Sequence, residues 1–300
     1  KNYSGLEPRL SMNILLGESS SVKASYNRMT QYIHLLSNTA ASSSLDVWTP
    51  STNNIKPEIA DAYVLGYFKN FKNNTYEASI ELYYKDLQNQ IDYIDGADLL
   101  INKYLEGDLL TGIGRAYGLE FLFKKNRGRF NGWLSYTIGR SELKIDGINK
   151  FEWYPTRYDQ THNFKITSTY KISDRVQFSG NFVYLTGTPV TFPSSKFVIQ
   201  GFVIPHNASN SRHQFRIPDY HRLDFSVTIK GRDEKKNGKV RKNDSELIIG
   251  VYNVYNRRNP FSIYFSQGDG MVTDSYVPGE VTRLSIIGSF VPSITYNFKF

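Results

Sequence analysis

The side chains that could do chemistry fall into a few small groups, and each has a bland reading beside the active one. Asp92, Asp95 and Asp98 sit in the run DYIDGAD, which looks like a loose calcium loop. Wrapping a hard cation takes oxygen ligands at every second position and a closing Glu at the twelfth. Here the acids are three apart and no such Glu follows, so solvated carboxylates around an Asp-Gly turn fit better. His206, His213 and His221 flank a long polar stretch near Asp219 and carry donors suited to iron or zinc. Isolated loop histidines are commoner than ligands, and no metal is expected. Gly112 to Gly118 reads GIGRAYG, close to a dinucleotide-binding turn. The third glycine of that pattern would fall at Tyr117 and no helical periodicity follows. Glycines that relieve crowding at the start of a strand are the better account.

No catalytic set emerges. There is no Gly-x-Ser-x-Gly elbow, no His-Glu-x-x-His and no carboxylate pair held together by local spacing. His162 and Ser168 share a strand parity, but it is the parity of Phe164, Ile166 and Tyr170. Cysteine is absent, which removes thiolate metal sites, disulfides and Cys nucleophiles. The chain is therefore read as neither an enzyme nor a cofactor protein. The formal charge of +8 is scattered, with no basic helix or zinc-finger spacing, so nucleic acid is not an expected partner.

The elements that must position these residues announce themselves by alternation. In residues 76–85, Tyr76, Ala78, Ile80, Leu82 and Tyr84 alternate with Glu77, Ser79, Glu81, Tyr83 and Lys85. Successive side chains of a strand point to opposite faces, so such a segment has one apolar and one polar face. Eleven segments read this way: 8–17, 21–38, 57–71, 75–93, 112–125, 130–145, 160–172, 176–190, 219–230, 245–265 and 283–300. Two of them, 57–71 and 245–265, are apolar on both parities in places. Many exceed the ~5–6 residues usual for a soluble strand and reach the ~9–11 that span a bilayer. No apolar run is long enough for a membrane helix, and the mean hydropathy of −0.44 suits strands that are apolar only at alternate positions. The 22 Tyr and 19 Phe against 3 Trp suit either a membrane–water boundary or an ordinary sandwich core.

The connections decide between those two. They run short, long, short, long: 17–20, 39–56, 72–74, 94–111, 125–128, 146–159, 173–175 and 191–218. Outer-membrane barrels put short turns on the periplasmic side and long loops outside, whereas a sandwich has no reason to alternate. The exception, 231–244, reads as a solvated periplasmic turn of mixed charge. The fold class is thus an all-β, antiparallel transmembrane barrel of about eleven strands. If the last strand descends to the periplasm, so does the first, and the two would be parallel neighbours on closure. Eleven strands therefore fit half of a larger barrel, with 1–300 its C-terminal part and the true N-terminus upstream, since no signal peptide opens the sequence.

Several stretches resemble the C-terminal barrel of TonB-dependent receptors of the type with a carboxypeptidase-regulatory-like N-terminal domain. They are SVKASYNRMTQYIHLLSN (21–38), KPEIADAYVLGYFKNF (56–71), ELYYKDLQNQIDY (81–93), GIGRAYGLEFLFKK (112–125), PDYHRLDFSV (218–227), GVYNVYNRRNPFSIYF (250–265) and the terminal Phe300. The blocks GxGxAYGxE and YNVYNRxNP are the most specific. The resemblance implies a 22-stranded barrel, a plug domain and an N-terminal barrel half outside this sequence, and a TonB energy-transducing complex as partner. It also implies outer-membrane lipid around the wall and uptake of a scarce solute, whether iron chelate, vitamin, peptide or glycan. Trp48, Asp92, Asp95, Trp153 and Arg157 are then the candidate extracellular solute contacts; Trp48, Trp153 and Arg157 sit in outward loops, where aromatic and Arg side chains dominate binding and girdle anchoring is their alternative role. Phe298 and Phe300 are the candidate signal to the barrel-assembly machinery. The rival readings are a structural barrel subunit of an envelope complex without transport and, more weakly, a soluble β-rich adhesin.

Overall fold

A computed structural model describes residues 2–37, 46–95, 97, 102–192, 195–199, 202–206, 212–232, 243–267 and 279–299. Eleven strands form one antiparallel sheet in strict sequence order. They are β1 (Arg9–Leu15), β2 (Ser20–Gln31), β3 (Glu58–Phe71), β4 (Tyr76–Tyr93), β5 (Leu109–Lys125), β6 (Phe130–Ile145), β7 (His162–Lys171), β8 (Val176–Leu185), β9 (Tyr220–Lys230), β10 (Asp244–Tyr252) and β11 (Val291–Lys299). The short strand Tyr154–Pro155 adds to the free side of β6 above the start of β7.

Register turns the alternation into two continuous surfaces. Leu65, Leu82, Leu119 and Ile138 lie directly opposite one another across β3 to β6, and Tyr67, Ile80, Phe121, Tyr136, Phe164 and Tyr184 make a second row from β3 to β8. On the other face Lys23, Gly66, Glu81, Glu120, Thr137 and Asn163 form a polar row. The apolar rows are the exposed ones: Leu65 is 54% and Leu82 55% accessible. An extended apolar face with no protein over it is a face that hydrocarbon covers, as on a barrel exterior, which leaves the polar face to the lumen. The wall accordingly has no core of its own. The buried apolar cluster, Ile145, Ile148 and Tyr154 backed by Leu110 and Leu143, sits at the end of the long connections.

Boundaries differ from the sequence expectation where a polar turn breaks an apolar run. Segment 245–265 is two strands, β10 and Ser262–Gln267, separated by a turn in which Asn253 and Asn256 adopt positive φ and Pro260 removes a donor. Segment 283–300 likewise divides into Gly279–Leu284, which pairs with Ser262–Gln267, and β11. Segment 21–38 breaks at Tyr32 into β2 and Ile33–Ser37, and the latter pairs with Asp46–Pro50. The stretch 191–218, expected as a loop, carries the hairpin Ser195–Ile199/Phe202–His206, with Pro189–Val190 paired to Phe215–Arg216 beside it. The long connections are thus partly hairpins, which satisfy their backbone groups locally.

Candidate functional site

The loop end of the sheet is built around a change of face. Strand β4 carries a bulge at Leu87/Gln90, where Asn89 takes a φ of 55° and its amide donates to the Pro57 carbonyl at 2.9 Å. One extra residue flips the alternation. Asp86 therefore shares the outward face with Tyr84, whereas Asp92 shares the inward face with Gly112 and Gly114.

That inward turn delivers Asp92 to a buried ionic knot. Its Oδ1 accepts from Arg212 Nη1 at 3.0 Å and from its neighbour's backbone, Tyr93 N, at 2.8 Å, while Oδ2 accepts from the Tyr154 hydroxyl at 2.8 Å. Arg212 Nη2 donates to the Tyr93 carbonyl and to Asp95 Oδ1, and its guanidinium lies 4.3 Å from the Tyr93 ring centre. Asn149 closes the knot by exchanging two 3.1 Å hydrogen bonds with the Arg212 backbone. Burial opposes the charge on Arg212, but Asp92, Tyr93 and Asp95 more than offset it; burial, then Asp92, pushes the Tyr154 phenol far up. Next to Arg212, His213 Nδ1 lies 2.7 Å from the Pro155 carbonyl. A carbonyl only accepts, so Nδ1 carries the proton and Nε2 is a bare acceptor, buried without a hydrogen-bond partner among the described residues. Burial pushes this imidazole down to about 4.

Two further locks tie the loops to the wall. Arg216 bonds the Asp159 carboxylate and the carbonyls of Asp159 and Gly187, while Asp159 Oδ1 accepts from Ser141 N at 2.7 Å. Asp219 accepts from the Tyr184 hydroxyl at 2.6 Å and from Gly187 N, and the Tyr184 bond holds its carboxyl below the usual range. The block YNVYNRRNP folds by the same means. Asn253 Nδ2 donates to the Arg257 carbonyl while Arg257 N donates to Asn253 Oδ1, and Asn259 makes the same double bond with the backbone of His221. In the other specific block, Gly118 and Gly139 are paired neighbours beneath the Tyr83 side chain. A Cβ at Gly118 would stand 2.7 Å from the Tyr83 hydroxyl and one at Gly139 would overlap it. These glycines form a slot in the lumen wall.

Of the five candidate contacts, Asp92 and Asp95 share Arg212. Trp48, 63% exposed, sits on the hairpin above β2, opposite Leu35. Trp153 stacks on Arg115 at 4.1 Å with Lys144 at 6.0 Å, and Arg157 lies 6.0 Å from the Tyr158 ring. Phe298 is on the apolar outer face with Tyr296, while Phe300, Asp98 and the His206 side chain lie outside the described residues. His221 bonds the Tyr255 hydroxyl, and among the described residues no three metal-binding side chains cluster. Arg212, Asn149 and Arg216 were not singled out by sequence. Arg212 stands 120 residues from Asp92, and no local spacing connects them.

A sheet with a lipid-facing exterior, a polar lumen face and hairpin loops locked over one rim is the wall of a transmembrane β-barrel receptor. The model of the family "TonB dependent receptor-like, beta-barrel" matches residues 1–254, and the chain belongs to that family, one of outer-membrane receptors and transporters and not of enzymes. Among solved structures it is similar to the ferric-catecholate import receptor Fiu of E. coli K12 (14% identity, TM-score 0.59, covering 97% of this chain and 34% of that one). It is also similar to the ferripyoverdine receptor of Pseudomonas aeruginosa (12%, 0.58, 98% and 32%) and the siderophore receptor PiuA of Acinetobacter baumannii (16%, 0.58, 97% and 35%). The chain thus spans about a third of the length of the structures it matches. No curated protein matches it by sequence.

Proposed function

We propose that this chain is the C-terminal part of the barrel of a receptor that takes up a scarce solute across the outer membrane, with a plug domain and a first barrel half completing it and TonB supplying the energy. The observation that carries this reading is the loop layer: family membership gives the wall, and the Asp92–Arg212 knot makes the loops over its mouth a fixed surface. Preorganised loops spend less free energy on ordering when a ligand arrives. In this reading Asp92 and Asp95 hold the layer in shape while Trp48 and Arg157 meet the solute. Ferric chelates are the first solutes to try, because the three structural neighbours are receptors for ferric catecholate, ferripyoverdine and a siderophore; vitamins, peptides and glycans follow. Cells making the complete receptor should accumulate a labelled ferric chelate only while the inner membrane is energised. Accumulation that persists after dissipating the proton gradient would exclude TonB coupling. Phe298 and Phe300 serve assembly in this reading, by strand addition to the assembly machinery. Deleting Phe300 should then lower the amount inserted more than Phe298→Ala does, and equal insertion of both variants at wild-type level would remove that role.

A further inference from the structure

On the lumen face of β4 one tyrosine lies down along the wall. Tyr83 is paired with Gly118 on β5, and Gly118 with Gly139 on β6. Gly139 is two strands from Tyr83, roughly 10 Å at the usual strand spacing. A Cβ at Gly139 would overlap the Tyr83 hydroxyl, and one at Gly118 would stand 2.7 Å from it. The hydroxyl comes this close to β6 only with the side chain laid across β5, against backbone that carries no side chain of its own. The tyrosine nevertheless keeps part of its surface open to the lumen. Lys85 follows on the same face towards the loops, exposed, with its ammonium 6.0 Å from the ring centre. Its paired neighbours are Ala62 and Ala116, too short to cover it, and among the described residues it has no ion-pair partner. On the periplasmic side of the ring stand two carboxylates, Glu81 and its paired neighbour Glu120. Along the strand the face thus reads carboxylates, ring, ammonium.

We propose that Tyr83 and Lys85 bind a planar ring of the solute that carries negative charge on one edge; the proposal rests on the receptor reading and narrows its solute. Aromatic rings meet in offset stacks or edge to face, and a tyrosine already pinned on two glycines has little side-chain freedom left to lose when a second ring arrives. Lys85 attracts the charged edge, while Glu81 and Glu120 repel it, so the ring is held in one sense, with its charge towards the loops. A neutral ring keeps the stacking and loses the charge contact. A saturated anion keeps the charge contact and loses the stacking.

The test titrates the complete receptor, purified in mild detergent, with benzoate, benzamide and cyclohexanecarboxylate, read by saturation-transfer NMR. Benzoate should bind more tightly than either of the others. Y83F should keep benzoate binding, because the ring stays on its glycines. Y83L should weaken it about tenfold, the scale of losing one aromatic stacking surface. K85Q should erase the preference for benzoate over benzamide and leave benzamide binding as it was. Position 85 is exposed, so this arm decides the matter even if Y83L assembles poorly. Benzoate held no better than cyclohexanecarboxylate, a benzoate preference untouched by K85Q, or binding of no ring probe overturns the proposal. Those results leave energised uptake of a ferric chelate where it stands. Uptake that ignores the proton gradient would instead overturn TonB coupling and leave the titration unaltered.

Discussion

Asp92 accepts hydrogen bonds from a guanidinium, a phenol and a backbone amide, and at Asp92 a buried carboxylate does the work of holding loops. Removing one member of a buried ion pair strands the other and costs about 3–5 kcal/mol. Asp92→Asn should therefore release the loop layer while leaving the wall intact. Hydrogen exchange should rise at residues 90–95 and 149–155 and stay slow in β7 and β8; exchange unchanged in both regions would show that the knot carries no load. His213 adds a pH dependence. Folded, it titrates near 4, and unfolded near 6.5, so the folded layer refuses a proton that the unfolded chain accepts. The stability it contributes is complete above pH 6.5, falls by about 1.4 kcal/mol per unit between 6.5 and 4, and levels off below, about 3 kcal/mol in all. Denaturant titrations across that range, read through Trp153 in a background lacking Trp48 and Trp133, should show this slope. His213→Asn, which keeps a donor for the Pro155 carbonyl, should flatten it.

For the strands the decisive property is which face meets lipid. Ile80 and Glu81 are neighbours on β4 but stand on opposite faces, in the apolar row with Tyr67 and Phe121 and in the polar row with Gly66 and Glu120. Nitroxides at the two positions should differ, Ile80 reached by oxygen and Glu81 by polar relaxers; matching accessibilities would undo the assignment of faces. Ile80→Arg should cost about 2–4 kcal/mol, the price of a charge near the bilayer midplane. The eleven strands themselves were legible as alternating runs, and 130–145 coincides with β6 to the residue. What escaped was where a run stops being one strand. Apolar alternation continues through Tyr252 and Val254, yet the side-chain amides of Asn253 and Asn259 find backbone partners that end β10. Capping of that kind depends on what lies 4 or 38 residues away.

At the scale of the molecule the odd strand number rules. β1 and β11 run the same way, and each is paired on one side only, with all seven residues of β1 exposed. Unpaired backbone groups in hydrocarbon cost several kcal/mol each. The chain by itself should then fail to make pores of uniform conductance in a planar bilayer, aggregating or pairing with a complementary half. Steady single-level openings from the chain alone would show that the two edges find a way to close.

Strand content, the apolar outer face, the polar lumen face and the rhythm of short turns and long loops all follow from the sequence. They depend on neighbours one or two residues apart, and the bilayer selects one residue type at alternate positions along every strand. The same local logic placed Trp48, Asp95, Trp153 and Arg157 in the loops and Asp92 at the end of a strand. It could not tell which of them carries structure. That was decided in three dimensions, where a single bulge at Asn89 turns Asp92 inward and folding brings Arg212 to it from 120 residues away. A buried charge needs a counter-charge within about 3 Å, and the chain supplies one from wherever its topology brings a loop back, a distance along the sequence that no local pattern encodes.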